Sequence, residues 1–324
     1  MANLLNYNRR RINGYAKEFV AQQHPAQDYN FACIYRSADY PKERQVFVVE
    51  IGERRYALKV DTKSAKTERL VREFETLREL HAHFEKFEKL DVVTPVYMSP
   101  SGEFFVTGYI DNRTATEAIY EQEADNRARQ IYRKAGHWLR ALHGFEPITT
   151  EKFWYDWMLE TLATLTGSRA CPHATPEQYG PMIDQMHRDV RRIEGAEDTH
   201  VFSHGDFHGR NLILGAGVTY GFDFTEVTRK LAVYDIVDFL KTDVFRPASP
   251  DEIDRSGLIA KNKAMFFKLY RHPINMDVLD FCMRARLLID WLSITTERHD
   301  RTQFQQKKFD HLHSRLLLAF EHSL

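Results

Sequence analysis

At 324 residues the chain is long enough to bury a sizeable core, either as one large domain or as two lobes. Its 45 Lys and Arg against 46 Asp and Glu leave a net charge of −1, which excludes a global field that would draw in nucleic acid or a membrane surface. Cys33, Cys171 and Cys282 are scattered and odd in number, which argues against a disulfide framework or a structural zinc site and fits a reducing cytoplasm.

The amino-terminal residues Met1 to Asn6 soon meet Arg9-Arg10-Arg11 without the apolar stretch of a signal peptide, and no segment approaches the ~20 apolar residues that span a bilayer. A soluble protein without membrane insertion is expected. From Arg9 to Gln23, Ile12, Tyr15, Ala16, Phe19 and Val20 recur at helical spacing and predict a leading amphipathic helix. Strand texture follows at Phe31 to Arg36, Gln45 to Ile51 and Arg55 to Val60, with Gly52-Glu53 as a hairpin turn. Thr67 to Phe87 is helical through Leu70, Phe74, Leu77 and Leu80, and Thr94 to Met98 and Glu103 to Thr107 read as two further strands. The front of the chain is thus a five-stranded antiparallel sheet carrying one long helix.

Beyond Gly108 to Asn112 the character turns helical, at Thr114 to Glu121, Asn126 to His143 and Lys152 to Leu165. Gly167 to Gly180, with Cys171-Pro172 and Pro176, reads as a loop before a helix from Pro181 to Glu194. Short strands at Val201-Phe202 and Leu212 to Leu214 come next, and a helical tail runs from Val233 to the end. The expected organisation is a first lobe over residues 1–107, a hinge over 108–112 and a helical second lobe over 113–324.

The chemistry concentrates in His204-Gly205-Asp206, Asn211 and Gly221-Phe222-Asp223-Phe224. An aspartate, a side-chain amide and a second aspartate in that order match phosphoryl transfer, in which one carboxylate orients a hydroxyl and two oxygen ligands hold Mg²⁺. Asp206 is the candidate base, and Asn211 and Asp223 are the candidate metal ligands. Lys59, in Ala57-Leu58-Lys59-Val60, is placed to reach nucleotide phosphates, and Glu73 on the following helix to hold it, with Glu75 and Glu79 as possible substitutes. His200, His204 and His208 are spaced by four, but Gly205 and Gly209 argue against a helix and so against a metal face. His204 is expected to support the catalytic loop.

This constellation resembles the aminoglycoside phosphotransferase and choline kinase family, small-molecule kinases of bilobal protein-kinase-like α+β fold. The resemblance spans about Phe31 to Phe239 and rests on Ser203 to Leu212, Gly221 to Glu226, Val233-Tyr234-Asp235-Ile236-Val237 and the helix Ala135 to His143 that ends in Leu-His. It implies Asp206 as base, Asn211 and Asp223 on Mg²⁺, and Lys59 paired with Glu73 on the phosphates of ATP, or alternatively GTP. It further implies adenine against the backbone of Gly108, Tyr109 and Ile110, and Asp235 as a buttress of the catalytic loop. Two departures stand out. The loop Ser37 to Arg44 has no glycine, so a Gly-rich phosphate cover is absent and Ser37 is the residue expected to replace some of its contacts. The arginine of the protein-kinase His-Arg-Asp motif is Gly205, and Thr225 stands where a glycine follows Asp-Phe, which argues against control by a phosphorylated activation loop.

For the acceptor, Asp156, Trp157 and Glu160, and separately Asp290 and Trp291, group carboxylates with aromatic rings that suit a cationic amine. Phe153, Trp154, Trp157, Met158, Leu162 and Leu165 also follow helical spacing, and a buried stripe with Asp156 and Glu160 in solvent is the stronger reading. The leading expectation is transfer to a hydroxyl of a small molecule such as an aminoglycoside, an amino alcohol or a sugar. A protein Ser/Thr kinase and a nucleotide-binding pseudokinase are the alternatives.

Overall fold

The computed structural model describes residues 8–64, 68–122, 125–167, 174–294 and 302–324, so Cys171-Pro172 and the start of the chain lie outside it. Contacts divide the chain into two compact units, Met1–Arg113 with Leu212–Glu226, and Thr114–Asn211 with Val227–Leu324. The segment Leu212–Glu226, assigned by its position in the sequence to the second lobe, therefore packs with the first.

In the first unit, β1 (Asn30–Arg36), β2 (Arg44–Ile51), β3 (Arg54–Asp61), β5 (Pro95–Met98) and β6 (Phe104–Gly108) form an antiparallel sheet in the order β1-β2-β3-β6-β5. Alternation decides its two faces. Phe47, Val49 and Ile51 of β2 and Leu58 and Val60 of β3 meet Ile12, Ala16, Phe19 and Val20 of α1 (Arg9–Gln23), so the leading helix is bound into a core of its own. The intervening residues Arg44, Val46, Lys59 and Asp61 therefore share the opposite face. There α2 (Arg69–Phe84) packs Leu70 and Phe74 on Phe105.

A short strand absent from the sequence reading, β4 (Leu90–Val92), pairs in parallel with β10 (Thr219–Gly221), which pairs antiparallel with β9 (Leu212–Leu214). That small sheet brings Asp223 into the first unit. Three-residue strands carry too little periodicity to be read locally, and pairing partners more than a hundred residues away stabilise this one.

The second unit is mostly helical. Its helices are α3 (Ala115–Glu121), α4 (Asp125–His143), α5 (Asp156–Gly167), α6 (Pro176–Ile193), α7 (Ala232–Leu240), α8 (Ala260–Phe267), α9 (Met276–Leu292) and α10 (Gln303–Phe320). A sheet β11-β8-β7 accompanies them, with β7 at Thr149–Lys152, β8 at Glu197–Ser203 and β11 at Thr228–Leu231. Lys152 thus ends a strand, and the helix begins four residues later at Asp156. Pro176 opens α6 instead of lying in a loop: Thr175 caps it in a capping box with Gln178, and proline suits the first turn because its missing N–H has no helical partner there. The tail is not continuously helical either, since short 3₁₀ turns and irregular chain separate α7 from α8. No described helix is long and apolar enough to cross a membrane.

Candidate active site

Lys59 sits on the sheet face away from α1, where its ammonium Nζ lies 2.7 and 2.9 Å from the two carboxylate oxygens of Glu73 and 2.6 Å from Oδ1 of Asp223. Glu73 occupies the buried stripe of α2 with Leu70, Phe74 and Leu77, whereas Glu75 and Glu79 are exposed, so of the three acidic candidates only Glu73 faces the lysine. Asp223 adopts a left-handed backbone, φ +67°, a region unusual for a side-chain-bearing residue but tolerated by aspartate.

Burial works against the Lys59 charge, and the two carboxylates around it outweigh that and hold its pKa above the ordinary lysine value. Burial likewise pushes the Glu73 carboxyl up to about 7, against the pull of the Lys59 ammonium. A carboxyl raised in this way keeps its proton in the folded chain between its ordinary value of 4.5 and about 7, where the unfolded chain has released it. Stability then falls as pH rises through that window. We expect Glu73→Gln to lose this dependence, so that its melting temperature improves relative to the metal-free parent between pH 5 and pH 8; parallel thermal melts check it, and a constant difference would refute the assignment.

Ser37 accepts a hydrogen bond from the Tyr40 amide and lines one recess with Lys59 and Asp223. In the segment 108–112, the Gly108 amide donates to the Thr94 carbonyl and the Tyr109 amide to that of Arg55, whose guanidinium lies over the Tyr109 ring. Of the three residues expected against adenine, Ile110 is the one whose N–H is not committed to another described residue, while its carbonyl accepts from Asn112.

In the second unit the loop after β8 carries Asp206. Asp235, fully buried on α7, accepts the His204 amide at 2.7 Å and the Gly205 amide at 3.0 Å. His143 Nε2, at the end of α4, donates to the same carboxylate at 3.0 Å, and its Nδ1 pairs with the Tyr270 hydroxyl. Burial opposes the Asp235 charge, and these bonds hold its carboxyl below the usual range all the same. Phe207 stacks between Trp138 and Phe239 and pins the following turn. Gly205 has φ +80°, which explains why no arginine stands there. At Gly209 a Cβ would come within 2.6 Å of the Thr116 hydroxyl.

Asp206 itself is half exposed, with His208 Nε2 3.5 Å from its carboxylate. Asn211 is buried and gives its amide N–H to the Asp206 carbonyl, which leaves its side-chain oxygen to accept or to ligate. His200 lies in β8 and His208 in the loop, so the three histidines share no helix, and no metal-binding cluster of His, Cys, Asp and Glu occurs among the described residues. His143 and Tyr270 are the supports that sequence reasoning did not assign; the Leu-His ending of α4 was the available signal.

The acceptor candidates fare differently. Asp156 opens α5 and accepts the Trp154 indole N–H, Trp157 packs on Tyr234, and Glu160 is exposed. Trp154, expected in the buried stripe, is 61% exposed and precedes the helix, while Phe153, Met158 and Leu162 are buried. Trp291, expected to offer a ring beside Asp290, is instead buried and stacked flat on His313 at 4.8 Å, a packing residue of the α9–α10 core.

The model of the phosphotransferase enzyme family matches residues 42–264, more than half of the chain, which therefore belongs to that family. No curated protein matches it by sequence. Among solved structures, it is similar to a spectinomycin phosphotransferase in complex with ADP and spectinomycin (14% identity, 94% of this chain and 96% of that one, TM-score 0.58). It is also similar to the choline kinase LicA from Streptococcus pneumoniae (12%, 95% and 99%, 0.56). A further similarity is to an amicoumacin kinase in complex with AMP-PNP (16%, 95% and 96%, 0.54). At these identities the likeness establishes the α+β fold, and the family match makes this chain a phosphotransferase.

Proposed function

We propose that this protein transfers the γ-phosphoryl group of ATP or GTP to a hydroxyl of a small molecule in the cytoplasm. The observation that carries the reading is the Lys59 ammonium held between Glu73 and Asp223. A lysine so fixed presents a positioned charge to nucleotide phosphates without first having to lose side-chain freedom. Ser37 borders the same recess, and the Ile110 N–H is the backbone donor for the base.

Asp223 and Asn211 supply hard oxygens, one carboxylate and one amide carbonyl kept available by the Asn211–Asp206 bond, and that donor set fits Mg²⁺. Mg²⁺, when bound, neutralises charge on the transferring phosphoryl group. Asp206 orients the acceptor hydroxyl and takes its proton as the new O–P bond forms and the nucleoside diphosphate departs. Asp235, through the His204 and Gly205 amides, keeps the Asp206 loop in register for this.

Spectinomycin, choline and amicoumacin are named for the compared proteins, and each carries a hydroxyl together with a nitrogen that is cationic at neutral pH, so we take amino alcohols and aminoglycosides as the first acceptors to test. Asp156 and Glu160, exposed on α5, and the half-buried Asp290 on α9 are the carboxylates we take as candidates for such an amine. Incubation with ATP or GTP, Mg²⁺ and a panel of aminoglycosides, choline-like amines, sugars and cell extract is expected to yield a small-molecule product heavier by one phosphoryl group. Phosphate appearing only on protein would replace this reading by the protein kinase one, and nucleotide binding with no transfer would replace it by the pseudokinase.

A further inference from the structure

The recess that holds Lys59 contains two more cations, Arg44 and Arg69, that have no part in the proposed reaction. Arg44 stands opposite Asp61 in the β2–β3 register, as Val46 stands opposite Lys59, so all four side chains belong to one sheet face. Asp61 is buried, and its Oδ2 accepts Arg44 Nε and Arg69 Nη1, each at 3.0 Å; its Oδ1 accepts the Ser64 amide. Both arginines and Asp61 line the same recess as Ser37, Lys59 and Asp223.

Charge separates this recess into two clusters. Lys59 is already matched by Asp223 in the recess and by Glu73 behind it. Arg44 and Arg69 with Asp61 are two cations to one carboxylate, which suits an anion. The additional carboxylate near Arg69, Glu226, lies 3.4 Å away on a side chain 60% exposed to water, where an ion pair counts for little.

Donor geometry agrees. Arg44 spends its Nε–H on Asp61 and an Nη2 hydrogen on the Ser64 hydroxyl, while the Tyr40 ring lies 4.7 Å below the guanidinium and restrains its plane. Its Nη1 group makes no hydrogen bond to the described residues. A guanidinium held along one edge and open along another offers the fork that phosphate oxygens accept.

We propose that Arg44 and Arg69, held in place by Asp61, bind the phosphate tail of the nucleotide beside Lys59 and stand in for the glycine-rich cover that the Ser37–Arg44 segment lacks. This inference rests on the nucleotide reading above and extends it to the device that grips the phosphates.

The test is calorimetric titration of the full chain, of Arg44→Gln and of Arg69→Gln with ATP, ADP and AMP in the presence of Mg²⁺, the guanine series being run in parallel. Each variant is expected to weaken triphosphate binding by roughly ten- to a hundredfold, the range of a charged hydrogen bond, with AMP or GMP affinity unchanged. Arg44→Lys, which keeps the charge and loses the fork, should fall between parent and Arg44→Gln. Equal weakening of tri- and monophosphate, or no weakening of the triphosphate, would overturn the proposal while leaving nucleotide use intact. Each variant retains one guanidinium on Asp61, so a single unstable variant leaves the other to decide, and loss of fold in both would assign the arginines to the scaffold. An unmodified chain that binds none of these nucleotides would overturn the nucleotide reading itself.

Discussion

Asp206→Ala is expected to lower kcat for phosphoryl transfer by about 10²–10⁴-fold, the usual contribution of a positioned acid or base. The thermal melting curve should be unchanged. Its side chain is half exposed, and the His208 contact at 3.5 Å is too long to count as a strong bond. What holds the loop is elsewhere: the Asp235 carboxylate on two of its amides, the Asn211 side chain on the Asp206 carbonyl, and the Phe207 stack. Because those contacts use backbone atoms or neighbouring residues, removing the Asp206 carboxylate subtracts chemistry without subtracting support. Steady-state kinetics on the acceptor found by the screen, paired with a melt, checks both halves. A variant that retains near-parent turnover would move the base to another residue, and one that melts early would make Asp206 structural.

The opposite separation is expected at Asp235. Asp235→Ala removes the buried acceptor shared by the His204 amide and His143 Nε2, while the part-buried Gly205 amide keeps the Ser203 hydroxyl at 3.1 Å, and each buried donor left unsatisfied costs about 1–3 kcal/mol. We expect a total loss of about 3–5 kcal/mol, as for other broken buried pairs, and turnover should fall as well because the loop loses its register. The pH dependence follows from the depressed carboxyl. A folded-state value below the ordinary 3.8 means that the stabilisation is complete above that value and is lost as pH falls through the folded one. The gap between parent and variant should therefore be constant from pH 5 upward and close only in strong acid. Denaturant titrations across that range test it; a gap of under about 1 kcal/mol at neutral pH would mean that water or the Tyr270–His143 pair satisfies the abandoned amides.

Much of this was legible in the chain because it is written at short range. The α1 stripe, the alternation around Lys59, and Glu73 in phase with Leu70, Phe74 and Leu77 are all periodic signals within one element. What escaped depends on distant partners. Strand β4 exists through β10, so Leu212–Glu226 changed units; Trp291 is covered by His313 from α10; and Arg44, Asp61 and Arg69 come together only once β2, β3 and α2 are assembled. Pro176 departs from the loop expectation for a different reason, since the residue that ends one helix is equally suited to begin another, and the Thr175–Gln178 box decides between them.

The return of Leu212–Glu226 to the first unit has a practical consequence for dissecting the molecule. The chain passes from one unit to the other after Arg113, Asn211 and Glu226, so no single stop or start codon yields either unit whole. A fragment ending at Arg113 would keep the lysine and its glutamate yet lack Asp223, and would leave the β4 edge without its partner strand. Any continuous fragment that holds both Lys59 and Asp223 therefore also carries the Asp206 loop that lies between them in the chain.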